Sequence, residues 1–264
     1  MSAVGDAFAR ARDEDRAALV VYLPAGFPDL DTSRACLEAA AEAGADVLEV
    51  GFPFSDPMMD GPIIQAASQQ ALDHGYGVAD DLAMCRGLTA TTDVPALVMT
   101  YVTIPDTRGY ARFADEATAA GLAGAILPDL PAGESEPWVR EARRAGLDTV
   151  FLASSVSTDE RLEAIADIST GFVYAVGLMG VTGVKDVASD DSRTLVGRIR
   201  QRTSTPVAVG LGVKTRQQAA EVAGFADGVI VGSAVVQAAG DGDRGGAAHR
   251  VAELVRELRA GVAS

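Results

Sequence analysis

The sequence predicts an α/β fold, a single (β/α)8 barrel with an extra N-terminal helix, in which residues 1–264 form one domain. Three observations lead there. The chain has 264 residues, 48% of them hydrophobic, enough for one large core and within the usual size of an eightfold barrel. Short β-branched or apolar runs alternate with amphipathic, Ala-rich stretches, the order expected of a parallel sheet wrapped by helices. No Pro- or Ser-rich linker or break in composition divides the chain. An open doubly wound sheet would show the same alternation, so strand count and total length decide for closure.

Residues 1–20 read as a short amphipathic helix; Asp6, Asp13, Glu14 and Asp15 interrupt any apolar core of signal-peptide length. Eight apolar runs follow, at 18–23, 47–50, 96–101, 125–127, 149–152, 172–176, 207–209 and 229–231. Each is short, nearly unbroken in hydrophobicity and followed by Gly, Pro, Ser or Asp, as strands buried on both faces and ending in loops should be. The stretch 238–246, AAGDGDRGG, reads as a flexible loop before the last helix.

Composition excludes several functions. A net charge of -15 without any run of Lys or Arg argues against a nucleic-acid surface or a binder of anionic membrane. No window has the roughly twenty uninterrupted apolar residues of a membrane span. Cys36 and Cys85 lie far apart in helix-like stretches and suggest neither a disulfide nor a metal site, which fits a reducing cytoplasm.

Within the second run, Glu49 is a carboxylate in an apolar strand, costly to bury as an ion unless it serves a purpose or pairs with an Arg. The loop that follows, GFPFSDPMMDGPIIQ at 51–65, is braced by Pro53, Pro57 and Pro62 and presents Asp56 and Asp60. Asp before Pro or Gly is also ordinary turn chemistry. Two carboxylates at one cleft can nevertheless divide acid and base duties where their surroundings separate their pKa values, and Glu49 is the better candidate for a raised one. Late in the chain, GVTG at 180–183, GLG at 210–212 and Gly232-Ser233 each follow an expected strand. Together they suggest a phosphate cradle of backbone amides, with Ser233 opening a short helix. The only lysines, Lys185 and Lys214, follow glycine-rich strand ends, and the only histidines, His74 and His249, fall in expected helices away from the strand ends. A Schiff-base aldolase and a zinc aldolase are therefore disfavoured. Carbon–carbon or proton-transfer chemistry on a phosphorylated metabolite, run by carboxylates, remains.

The runs LEVGFPFSDPMMDGPIIQ at 48–65, YLPAGFPD from Tyr22, LPDLP around Asp129, GVTG at 180, VGLG at 209 and VGS at 231 closely resemble the tryptophan synthase α chain family, in order along nearly the whole chain. The resemblance implies a TIM barrel that cleaves indole-3-glycerol phosphate to indole and D-glyceraldehyde 3-phosphate in tryptophan biosynthesis, without cofactor or metal. It puts the general acid/base on Glu49 and the group facing the indole nitrogen on Asp60. Phosphate contacts fall on Gly183, Gly212, Gly232 and Ser233. Tyr174 and Thr182 match a substrate-side tyrosine and a mobile-loop threonine, and the remaining substrate contacts fall on Tyr22, Ile64, Thr100 and Leu211. The family's partner is a β chain, in an α2β2 heterotetramer. Three positions depart from the pattern. Val102 and Thr103 stand where an aromatic and Asn-Pro usually follow the tyrosine, in a region used against the β chain; Gly177 replaces a common serine; Tyr22 replaces a common Phe. A coupled α subunit, a stand-alone indole-releasing lyase and a non-catalytic regulator of a β chain thus stay open, as does an isomerase of another sugar phosphate.

Overall fold

The computed structural model describes residues 2–177, 190–210 and 212–263. Eight parallel strands close into a barrel in sequence order. They are β1 (Ala18–Pro24), β2 (Val47–Gly51), β3 (Ala96–Met99), β4 (Gly124–Ile126), β5 (Asp148–Ser154), β6 (Val173–Val176), β7 (Val207–Gly210) and β8 (Gly228–Val231). The helices that wrap them include α1 (Ala3–Asp13), α2 (Leu30–Glu42), α3 (Pro62–Asp73), α4 (Val78–Thr89) and α5 (Thr103–Arg108). Further along come α6 (Tyr110–Ala119), α7 (Glu136–Ala145), α8 (Asp159–Ile168), α9 (Asp190–Arg200), α10 (Arg216–Ala223), α11 (Ser233–Gly240) and α12 (Ala247–Val262).

Strand side chains alternate between two cores, as a period of two requires. Ala18, Val20, Val47, Leu97, Ile126, Val150, Phe172, Ala208 and Ile230 fill the barrel. Their neighbours, such as Leu19, Leu48, Val98 and Val229, pack outward against the helices. The extra helix α1 plugs the N-terminal mouth, burying Val4, Ala7, Phe8 and Ala11 in the inner core. Phe8 packs on Phe172 with ring centroids 5.3 Å apart. A Cβ at Gly228 would lie 2.7 Å from Phe8, so β8 needs glycine where the plug enters. With one end of the barrel sealed, the opposite, C-terminal end is left for chemistry.

Two segments differ from the sequence expectation. β3 stops at Met99 although the apolar run continues to Tyr101, because the Asp129 carboxylate takes the Val102 N–H at 2.8 Å and turns the chain into α5. The stretch 238–246 is not an open loop. Its first three residues complete α11, and Arg244–Gly246 form a 3-10 turn capped by Asp243. The Arg250 guanidinium ties this stretch down by donating to Ala238 O and Asp243 O. Cys36 and Cys85 are both buried and free. Among the described residues, no helix is long and apolar enough to cross a membrane.

Candidate active site

Glu49 occupies the middle position of β2, with the inward parity of Val47, and lies in register with Tyr22 on β1 and Leu97 on β3. Its side chain is fully buried and neither carboxylate oxygen has a hydrogen-bond partner. With nothing to compensate desolvation, burial pushes its pKa up to about 8. Two phenols stand around it. Burial raises the pKa values of Tyr22 and Tyr174, and the negative charges of Glu49 and Asp60 push both further.

Glycines make room for these phenols. The Tyr22 hydroxyl occupies the space a Cβ on Gly51 would need, and the Tyr174 hydroxyl would stand 2.6 Å from a Cβ on Gly210. Gly210 therefore has a second role that the GLG pattern does not reveal: it lets Tyr174 lie across β7.

Asp60 sits at the end of the proline-braced loop, just before α3. Its carboxylate accepts a hydrogen bond from Tyr101 Oη at 3.2 Å, and the same phenol oxygen accepts the Met59 N–H at 2.9 Å. Phe54 stacks on Tyr101 with centroids 5.1 Å apart, and Gln65 Nε2 donates to Asp60 O at 2.9 Å. Burial raises the Asp60 pKa to about 6, with the Tyr101 hydrogen bond holding it down. Asp56 takes no part: it is exposed and accepts from Ser55 Oγ at 2.6 Å.

Tyr101 was not singled out by the sequence as a site residue, and the available signal was parity. Tyr101 and Met99 share the inward parity of Leu97, and Met99 packs against the inner core. Thr100 continues the ladder by donating its N–H to Ile126 O, so it has the outward parity of Val98. Its buried hydroxyl has no partner. The last inward residue of β3 itself is Met99.

Gly232 and Ser233 lie where β8 passes into α11, and no side chain caps that helix. Its first amides thus lack intrahelical acceptors and are available to an anion. A Cβ at Gly232 would be 3.3 Å from Tyr22 Cδ1 and 3.5 Å from Ile64 Cδ1, which joins this anion end to the Tyr22 side of the pocket. Gly212 adopts φ +68°, a conformation that favours glycine. Thr182, Gly183, Leu211 and Lys185 lie outside the described residues. Lys214 follows β7 and its N–H caps onto Gln218. His74 closes α3 and reaches Pro28 O in the loop after β1 at 2.9 Å, a backbone contact.

A groove of about 380 Å³ runs at the C-terminal end of the barrel, between Met59, the 128–132 loop and the ends of β5 and β6. A larger cavity, about 570 Å³, opens at the plugged end of the barrel between Phe8, Arg12 and Arg200. Size does not identify the site here: Glu49 and Asp60 lie toward the other end.

The tryptophan synthase alpha chain family model matches residues 8–263. The tryptophan synthase alpha chain of Leifsonia xyli subsp. xyli is 48% identical over 256 residues, covering 97% of this chain and 98% of that one. The alpha chain of Streptomyces avermitilis is 48% identical over 260 residues, covering 98% and 94%. Among solved structures, Mycobacterium tuberculosis tryptophan synthase in space group F222 superimposes with a TM-score of 0.92 at 44% identity, covering 100% of this chain and 99% of that one. The alpha chain from Legionella pneumophila gives 0.90 at 30% identity, covering 99% and 97%.

Proposed function

The chain belongs to the tryptophan synthase alpha chain family, and from that premise we infer how its residues share the work of the family reaction. The protein is a carbon–carbon lyase that cleaves indole-3-glycerol phosphate to indole and glyceraldehyde 3-phosphate, a step of tryptophan biosynthesis. The observation that carries the assignment of roles is the pair of unequal carboxyls, Glu49 at about 8 and Asp60 at about 6. Near neutral pH the first is mostly protonated and the second mostly ionised, which is the division an acid and an electrostatic stabiliser require.

Glu49 donates its proton to the indole carbon that bears the glycerol chain, turning the ring into an iminium-like species. Asp60 then faces the ring N–H and stabilises the positive charge. The carboxylate left on Glu49 takes the proton of the adjacent glycerol hydroxyl. As that oxygen becomes the aldehyde carbonyl, the carbon–carbon bond breaks and its electrons restore the aromatic indole. Tyr22, Ile64 and Tyr174 hold the ring between Glu49 and Asp60, with Met99 at the end of β3. The Ser233 end of α11 and Gly212 hold the phosphate, and Thr182, Gly183 and Leu211 are assigned to the same substrate by resemblance.

The family works with a β chain. We place docking on the C-terminal face, beside the 51–61 loop, in an α2β2 assembly. Support comes from the exposed Met58 and Met59 on that loop. The turn after Tyr101 keeps its form with Val102 and Thr103 because Asp129 supplies the bond that fixes it, so loss of the usual asparagine need not uncouple the subunits.

The test is indole release by the purified chain, alone and with a tryptophan synthase β chain, using Glu49→Gln and Asp60→Asn as controls. Weak release that the β chain raises strongly, lost in both variants, is expected. Strong release indifferent to the β chain would make the protein a stand-alone lyase, and activity surviving in Glu49→Gln would overturn the assignment of the acid.

A further inference from the structure

Among the described residues, three large apolar side chains are well exposed: Met58 at 82%, Val156 at 75% and Met59 at 50%. Two are thioethers, adjacent in sequence and immediately before Asp60. The other described methionines are shielded. Met84 is buried in α4, and Met99 is half-buried at the inward end of β3.

The backbone displays the pair. The Met58 N–H donates to Asp56 O and the Met59 N–H to Tyr101 Oη, both at 2.9 Å. Pro57 on one side and Gly61-Pro62 on the other restrict rearrangement. In the chain free of a partner, an oxidant in water therefore meets both sulfurs on the face that carries the chemistry, while folding shields Met84 and Met99.

We propose that Met58, with Met59 beside it, is a site of reversible oxidation by hydroperoxides that weakens docking of the β chain while sparing the chain's own lyase chemistry. The sulfur lone pair attacks one peroxide oxygen, an S–O bond forms and the O–O bond breaks. The departing oxygen leaves as water or alcohol after taking a proton. The thioether loses two electrons and the peroxide gains them. A dithiol-dependent reductase reverses the step, the sulfoxide oxygen leaving as water as two thiols become a disulfide. The sulfoxide oxygen is a strong acceptor, costly to cover with a partner surface that matches an apolar thioether. The consequence for docking rests on the reading that the β chain sits on this face.

The experiment treats the purified full chain with dilute hydrogen peroxide and maps sulfoxides by peptide mass spectrometry. Indole release is then titrated with a tryptophan synthase β chain, for the wild type and for Met58→Leu/Met59→Leu. Sulfoxide should accumulate at Met58 and Met59 before Met84 and Met99. The oxidised wild type should keep most of its own indole release yet need about tenfold more β chain for half-maximal stimulation, the order expected for covering an oxygen that loses its water. Methionine sulfoxide reductase should restore the original titration, and the double variant should be indifferent to peroxide. Oxidation of Met84 or Met99 as fast as Met58, an unchanged titration after oxidation, or an equal loss in the double variant would each overturn the proposal. A β chain that fails to stimulate even the untreated wild type would overturn the docking reading, and the consequence drawn here with it; the mapped order of oxidation still decides the modification site.

Discussion

The Tyr101 hydroxyl joins two consecutive residues of the loop after β2, donating to Asp60 Oδ2 at 3.2 Å while accepting the Met59 N–H at 2.9 Å. It therefore fixes where Asp60 points and favours its ionised form. Removing a donor from a carboxylate raises its pKa. In Tyr101→Phe the acid limb of the pH profile for indole release, set by Asp60 at about 6, should move to higher pH. Activity at pH 7 should fall by about tenfold, the order of one hydrogen bond to a charged group. An acid limb left in place would show that Tyr101 does not act through Asp60.

Glu49 links catalysis to stability. Its folded pKa of about 8 lies above the ordinary glutamate value of 4.5, so the unfolded chain releases this proton at lower pH than the folded one. The contribution to stability is fully present below about 4.5, declines as pH rises, and is lost once pH passes about 8. Glu49→Gln keeps the shape and removes the titration. Measured by denaturant unfolding, the variant should gain over wild type as pH goes from 5 to 8, by an upper bound of about 3.5 kcal/mol. Its indole release should fall by roughly 10²–10⁴. A stability difference independent of pH would mean that Glu49 is ionised at neutral pH and cannot be the acid.

Much of this site was readable in the chain because local chemistry was enough. A carboxylate inside VLEV is conspicuous, and eight apolar runs buried on both faces survive any detail of packing. What was not readable depends on contacts between distant segments. The end of β3 is set by Asp129, 27 residues beyond Val102, and nothing in the hydrophobic run announces it. The same break hides Tyr101, whose partners lie on the preceding crossover. Thr100, which the resemblance puts at the substrate, is buried just past the end of β3, whereas the alternation of faces along the strand points to Met99. Asp56 and Asp60 looked alike as turn residues. The resemblance chose Asp60, and the fold gives the physical reason: Asp56 is left in water with Ser55 while Asp60 is turned onto Tyr101.

Gly210 provides a test of packing at the rim. A Cβ there would sit 2.6 Å from Tyr174 Oη and 2.8 Å from its Cε2, so Gly210→Ala must displace the phenol. The expected cost is about 1–3 kcal/mol of stability, typical of overpacking, with a fall in kcat as Tyr174 leaves the substrate side. Adding Tyr174→Phe relieves the hydroxyl clash but not the ring contact. The double variant should thus be less destabilised than the sum of the single changes. Strict additivity in thermal unfolding would show that the two residues do not meet.

The anion end can be probed without weakening the fold. Ser233 is the first residue of α11, where a carboxylate favours the helix through its interaction with the N-terminal amides and the positive end of the dipole. The same carboxylate would occupy or repel whatever anion those amides bind. Ser233→Asp should therefore leave thermal stability equal or higher while raising KM for indole-3-glycerol phosphate by about tenfold or more, with a smaller effect on kcat. Inorganic phosphate should compete with substrate in the wild type and lose that effect in the variant. If KM stays the same while stability rises, the helix start is reached by the aspartate but not by the substrate, and the phosphate must be held elsewhere.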